Sequence, residues 1–261
     1  MIISHEHKYI FMHGRKCAGS SIEVMLNQTL GPQDIQIGSW SESLAAGGRI
    51  NRKALVDACG SPLRWPLVAR LALSSVKKFG ALDIGYVANG SIKKKYINEL
   101  GPNASCPPAE SVKKFDPVTW EKYFKFSFTR NPFEFEVSDY WWRAKRCHAI
   151  VSFKEFLRRK ADRLRSDPEG LVPFPESNWM IYSINDEVAL DFVGRYETLS
   201  SDLMEVGMRI GISLDGANMP NAKSGHRKNL DPKSLYDGEC VSLVERIHSR
   251  ELETFGYEFP Y

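Results

Sequence analysis

Tyr9-Ile10-Phe11-Met12 runs directly into His13-Gly14-Arg15-Lys16-Cys17-Ala18-Gly19-Ser20-Ser21. The segment after it places Ile22, Met25, Leu26 and Leu30 on one helical face, and Gly31-Pro32 stops it. The apolar run suits a short buried strand. A strand that enters a helix through such a turn is the repeating unit of α/β folds, where ligands gather at the carboxyl ends of parallel strands. A loop opening a helix offers backbone N–H groups to an anion. Gly14 and Gly19 let the backbone approach closely, Ser20 and Ser21 add hydroxyl donors, and Arg15 and Lys16 add charge. A phosphate cradle is one reading, and a tight βα turn with an exposed basic pair is the other. The hydrolase loop GxxxxGK[ST] puts its lysine after the second glycine. Here Lys16 precedes Gly19, so the loop is of another kind.

Working outward, Ile35-Gln36-Ile37 reads as a second short strand, and residues 49–59, 64–79 and 91–100 as helices. Asn103 to Pro117, rich in Pro, Ser and Lys, reads as a loop. Phe124 to Thr129 alternates and is aromatic, which predicts a strand. Pro132 suits the first turn of the next helix, continued by Phe133, Val137, Tyr140, Trp141 and Ala144. Residues 152–164 form a basic amphipathic pattern, Val188 to Val193 reads as a strand, and residues 198–210 and 233–255 read as helices. Strands alternating with helices predict an α/β fold with a mostly parallel sheet. No composition break marks a boundary, so residues 1–261 are expected to form one domain.

Of the 261 residues, 43% are hydrophobic and 26% charged, which excludes a disordered tail, a fibre or a small disulfide scaffold. No apolar run approaches the ~18–20 residues needed to cross a bilayer. A formal net charge of +3 is too mild for a nucleic-acid coat but allows a local basic cleft. The five cysteines lack any CxxC pair and read as reduced thiols without a zinc site. The N-terminus lacks a signal-peptide layout, so a cytoplasmic location is expected.

Two further junctions repeat the first. Phe126-Ser127-Phe128-Thr129-Arg130-Asn131-Pro132 ends a strand on a cation, and Ser138 follows about two turns into the helix. A guanidinium fork there matches phosphate oxygens. Val193-Gly194-Arg195-Tyr196-Glu197-Thr198-Leu199 likewise ends a strand in Arg195. The Arg130 junction also reads as an Arg at a strand terminus with a surface Ser, and the Arg195 junction as a salt-bridged Arg–Glu pair. The runs Lys93-Lys94-Lys95 and Arg158-Arg159-Lys160 read as solvated helix faces, which would favour an acidic acceptor if they flanked a cleft. Tyr140-Trp141-Trp142 reads first as core, with a sugar-stacking platform as the alternative.

Taken together and in this order, the three junctions resemble the sulfotransferases that use 3′-phosphoadenosine 5′-phosphosulfate (PAPS), closest to heparan- and chondroitin-like carbohydrate sulfotransferases of bacterial cytoplasmic type. Arg15-Lys16-Cys17-Ala18-Gly19-Ser20-Ser21 is similar to that family's 5′-phosphosulfate loop, with Cys17 in place of Thr or Ser. Arg130 and Ser138 match its 3′-phosphate ligands, although Glu136 stands where many relatives carry a basic residue or Leu. Residues 193–199 match V-G-R-Y-E-x-L and bring in Arg195. Met219 to Ser224 resembles a P-x-x-N-x-S stretch, and Ser224-Gly225-His226-Arg227 resembles a loop that folds over the cofactor. The likeness weakens between residues 35 and 120.

What the resemblance implies is a P-loop-like sulfotransferase fold, a central mostly parallel sheet flanked by helices, and metal-independent in-line transfer of a sulfuryl group from PAPS to a hydroxyl. The acceptor would be a glycan or another hydroxyl-bearing molecule, and the product adenosine 3′,5′-bisphosphate. Lys16 would stabilise charge on the leaving oxygen. For the general base, Glu42 comes first by its distance from Lys16, His13 beside the cradle second, and Glu23 could point either way. The competing readings are a nucleotide- or glycan-binding protein without turnover and a P-loop-like phosphoryl transferase, for which the Walker loop is missing. Nucleic-acid binding through the basic runs would demand steeply salt-sensitive affinity and is not expected.

Overall fold

The computed structural model describes residues 1–147, 151–162, 165–173, 175–216 and 231–261. Ile2–Ser4 forms a strand, β1, ahead of the expected strand β2 (Tyr9–Phe11). Every residue of both is buried, which is why runs this short hold as strands. Then follow α1 (Gly19–Asn27), β3 (Ile35–Gln36), α2 (Trp40–Ala45), α3 (Arg52–Cys59), α4 (Trp65–Phe79), α5 (Ile84–Leu100), α6 (Ala109–Phe115), α7 (Pro117–Lys122) and β4 (Phe124–Thr129). The chain continues with α8 (Pro132–Cys147), α9 (Phe153–Ala161), α10 (Trp179–Tyr182), β5 (Ser183–Ile184), β6 (Glu187–Val188), β7 (Phe192–Arg195), α11 (Leu199–Ile210), α12 (Gly238–Ile247) and α13 (Ser249–Phe255).

The described residues form a mixed α/β fold around a five-stranded sheet of order β3-β1-β2-β4-β7. β2 and β4 pair in parallel, with Ile10 opposite Lys125. β1 is antiparallel to both β2 and β3. Thus β2, β3 and β4 share one direction, and β1 runs against them from inside the sheet. That strand is a departure from the sequence reading, which began at Tyr9.

Other departures have local causes. α5 begins at Ile84, because the Asp83 side chain accepts from the Tyr86 N–H at 2.9 Å and caps it. The stretch read as a loop carries α6, with Glu110 in its first turn and Lys113 and Lys114 in its last, as the helix dipole favours. The strand read at Val188 to Val193 is instead β6 and β7. β5 and β6 close on Asn185 and Asp186, both with positive φ, as a two-residue hairpin requires. The helix read over residues 233–255 divides at His248 into α12 and α13.

The chain divides into two compact units, Met1–Phe128 with Ile181–Ala222, and Thr129–Met180 with Lys223–Tyr261. The first contains the sheet up to Phe128. Its core packs Tyr9 and Phe11 against Phe126, with ring centroids 5.7 and 5.2 Å apart, and buries Ile22, Val24 and Leu26 of α1. In the second, α8, α9 and α12 enclose Phe133, Val137, Tyr140, Phe156, Leu157 and Val244. Tyr140 is core, and Trp141 packs against the same cluster.

Candidate functional site

The first site is the turn between β2 and α1. Met12 bonds its neighbour strand through both its N–H and its carbonyl: the N–H donates to the Phe126 carbonyl at 2.8 Å, and the carbonyl accepts from Ser127 Oγ at 2.7 Å. Both bonds fix where the loop leaves the sheet. Gly14 follows, and a Cβ there would lie 2.7 Å from the Phe128 carbonyl, so only glycine lets the loop pass β4 this closely. Lys16 and Ala18 then adopt left-handed backbone, with φ of 59° and 61°. Non-glycine residues rarely accept that conformation, and here two sit within one turn. Such a turn aims backbone N–H groups into an anion-sized concavity.

α1 opens from this turn at Gly19, and its cap residue Ala18 supplies no side-chain bond to the first N–H groups. The helix N-terminus thus faces the loop with its dipole. Ser20 and Ser21 are buried, whereas Arg15 and Lys16 are half-buried. Cys17 is buried, and its Sγ donates to the Arg15 carbonyl at 3.1 Å. Its side chain braces the loop from within. A Cβ on Gly19 would sit 2.5 Å from His13 Nε2, so the His13 ring occupies the space a side chain at Gly19 would fill. The residues of this turn fit a bound phosphosulfate group.

His13 is held from behind. Its Nδ1 lies 3.0 Å from Glu23 Oε1, and the Glu23 side chain is fully buried. The Met1 ammonium also bonds Glu23, and donates to the carbonyls of Ile37 at 3.1 Å and Ser105 at 3.0 Å. Burial works to raise the Glu23 carboxyl, but His13 and the Met1 ammonium outweigh it and hold it well below the usual carboxylate range. Of the three acids and bases named from the sequence, His13 and Glu23 are therefore a pair. Glu23 stands out in the sequence as the acid in an otherwise apolar run, Ile22-Glu23-Val24-Met25-Leu26, but nothing there shows that it faces His13. Glu42 lies half-buried in the first turn of α2, which packs on α1.

In the same unit Arg195 ends β7 with an exposed side chain, and its N–H donates to Asp202 Oδ2 at 2.7 Å. Thr198 Oγ1 is 3.1 Å from the same oxygen, so Asp202 ties the motif to α11.

The second unit carries the other expected ligands. Asn131 Oδ1 accepts from the Phe133 N–H at 3.0 Å and its Nδ2 donates to the Glu258 carbonyl at 2.9 Å, which fixes the start of α8. Arg130, just before it, is half-buried and lies 3.1 Å from Glu134 Oε2. Ser138 is half-buried on the same helix. Between them Glu136 is fully buried and receives Lys160 Nζ at 2.6 and 2.8 Å. His248 Nε2 lies 2.5 Å from Glu136 Oε1, and Asp139 lies 3.3 Å from Lys160. Glu136 thus anchors α8 to α9 and to the junction of α12 and α13.

These contacts correct the reading of Arg158-Arg159-Lys160 as a solvated face. Lys160 is fully buried, Arg158 pairs with Glu239 at 2.6 Å, and Arg159 reaches Glu155 and Glu169. Lys95 bonds Asp57, although Lys93 and Lys94 are exposed. The expected cofactor loop Gly225-His226-Arg227, with Met219 to Ser224 before it, lies outside the described residues. Among the described residues no group of three or more His, Cys, Asp or Glu is placed to hold a metal ion.

A family model described as the sulfotransferase family matches residues 1–258. No curated protein and no solved structure matches the chain significantly.

Proposed function

Since the chain belongs to the sulfotransferase family and is an enzyme of that kind, we propose that it transfers a sulfuryl group from PAPS to a hydroxyl of a carbohydrate. PAPS supplies the activated sulfonate, which the acceptor oxygen takes as the bond to the bridging phosphate oxygen breaks. The observation that carries this reading is the loop itself: left-handed Lys16 and Ala18, the start of α1 at Gly19, and two basic side chains in one turn. Arg15 to Ser21 would bind the 5′ group, with Lys16 neutralising charge on the leaving oxygen. Arg130 and Ser138 would supply the 3′-phosphate ligands. Arg195 and the loop Gly225-His226-Arg227 are proposed as further nucleotide contacts.

A base must take the acceptor proton. We assign it to His13, because Glu23 beside Nδ1 favours the tautomer with the lone pair on Nε2, the edge that faces Gly19. Glu42, in the first turn of α2, is the second candidate.

The test is incubation with radiolabelled PAPS and a panel of glycans, small alcohols and phenols, alongside titration with adenosine 3′,5′-bisphosphate. Labelled glycan with bisphosphate binding supports the proposal. Binding without any transfer would point to a nucleotide-binding relative, and label on alcohols or phenols alone would replace the acceptor class.

A further inference from the structure

The segment from Ala58 to Leu82 contains Arg64, Arg70, Lys77 and Lys78 and no Asp or Glu. It forms α4, a 15-residue helix in which only Ser75 is buried. One side of the helix packs on α3 and α5, where Leu71 lies against Gly90. The opposite side is apolar and open. Helical spacing aligns Trp65, Ala69, Leu73 and Val76 along one stripe. Trp65 and Leu73 are each 66% exposed. The stripe continues at both ends, through Leu63 before the helix, Phe79 at its last position and Leu82 after it, all exposed. Arg70 and Lys77 stand exposed along its edge.

We propose that this face of α4 docks the protein on an anionic lipid surface. Scattered exposed apolar side chains are ordinary, but a contiguous stripe of Trp, Leu, Val and Phe marks a surface that meets a partner. A basic rim without an acid selects the partner's charge: lipid phosphates attract it, and the apolar stripe enters the boundary between headgroups and acyl chains. A second copy of the same face would set its exposed Arg70 and Lys77 against another such pair, which disfavours self-association. Among the described residues no helix is long and apolar enough to cross a bilayer, so the helix lies on the surface. The proposal is independent of the transfer reaction.

The test is flotation of the full chain with vesicles of phosphatidylcholine alone and of an equal mixture with phosphatidylglycerol, at low and high salt. The protein is expected to float with the anionic vesicles only, and to be released by salt. Arg70→Gln with Lys77→Gln should weaken that binding about tenfold or more, and so should Leu73→Ser with Val76→Ser. All four side chains are exposed or at the helix edge, so matched circular dichroism and unfolding midpoints confirm that the variants fold. Failure to float with anionic vesicles, or flotation unchanged in both double variants, overturns the proposal. It is also overturned if light scattering shows a dimer that Leu73→Ser with Val76→Ser breaks while vesicles stay unbound.

Discussion

His13 Nδ1 stands 3.0 Å from the fully buried Glu23 carboxylate, and the opposite edge of the ring lies against Gly19 at the start of α1. The carboxylate holds the Nδ1 edge of the ring and so fixes its orientation and tautomer. Glu23→Gln should therefore lower kcat with bisphosphate binding retained. His13→Asn, which removes the proposed base, should lower kcat by about 10²–10⁴, again with bisphosphate binding retained. A kcat unchanged in both variants would move the base assignment to Glu42.

Lys16→Ala tests the leaving-group role. Loss of one preorganised cation at the developing charge lowers kcat by about 10²–10³. Titration calorimetry should show adenosine 3′,5′-bisphosphate binding reduced by much less. Equal losses in both would make Lys16 a binding group only.

Gly19→Ala places a methyl where the His13 ring lies, and one of the two must move. Overpacking of this kind costs about 1–3 kcal/mol, read from denaturant unfolding. Bisphosphate affinity should fall with it, because the ring and the start of α1 share the space.

Lys160→Met removes the buried ammonium that Glu136 and Asp139 share, leaving Glu136 to His248 and Asp139 to Arg143. Breaking such a group by removing one partner destabilises by about 3–5 kcal/mol. Unfolding midpoints in urea would measure it.

His248 gives the same cluster a pH dependence. Burial disfavours its charged ring, but Glu136 and Glu251 outweigh burial and raise its pKa above the ordinary value. Its contribution is therefore complete below about pH 6.5 and is lost as pH climbs through the raised folded value. Glu251 behaves in the opposite sense: burial raises it, His248 more than offsets this, and its contribution fades as pH falls through its lowered folded value. Stability measured against pH should fall on the alkaline side in the native protein, and His248→Gln should flatten that fall.

The strands at Tyr9 and Phe124 and the helices after Gly19 and Pro132 were legible because each carries its own signal, a short apolar run followed by a turn and a periodic face. β1 was not, since Ile2-Ile3-Ser4 is too short to show a period and is a strand only through partners on both sides. α6 was hidden by Pro107 and Pro108 just before it, which read as loop. Arg15 to Ser21 was legible as a turn between strand and helix, with phosphate binding one of two readings and a cofactor role implied only by the family resemblance. Glu23 as the partner of His13 was not, because ten residues of sequence say nothing about which way a helix face turns. The fate of Lys160 was equally invisible: its partners Glu136 and Asp139 are 24 and 21 positions away.

Met12 and Ser127 are bonded neighbours yet 115 residues apart in the chain. During synthesis the β2 edge emerges long before β4 exists to cover it. At about 5–20 residues per second the ribosome leaves that edge bare for roughly 6–23 s. An uncovered edge of Tyr, Ile and Phe invites pairing with other nascent chains. Slower translation or a scarcity of chaperones should therefore reduce the yield of native enzyme.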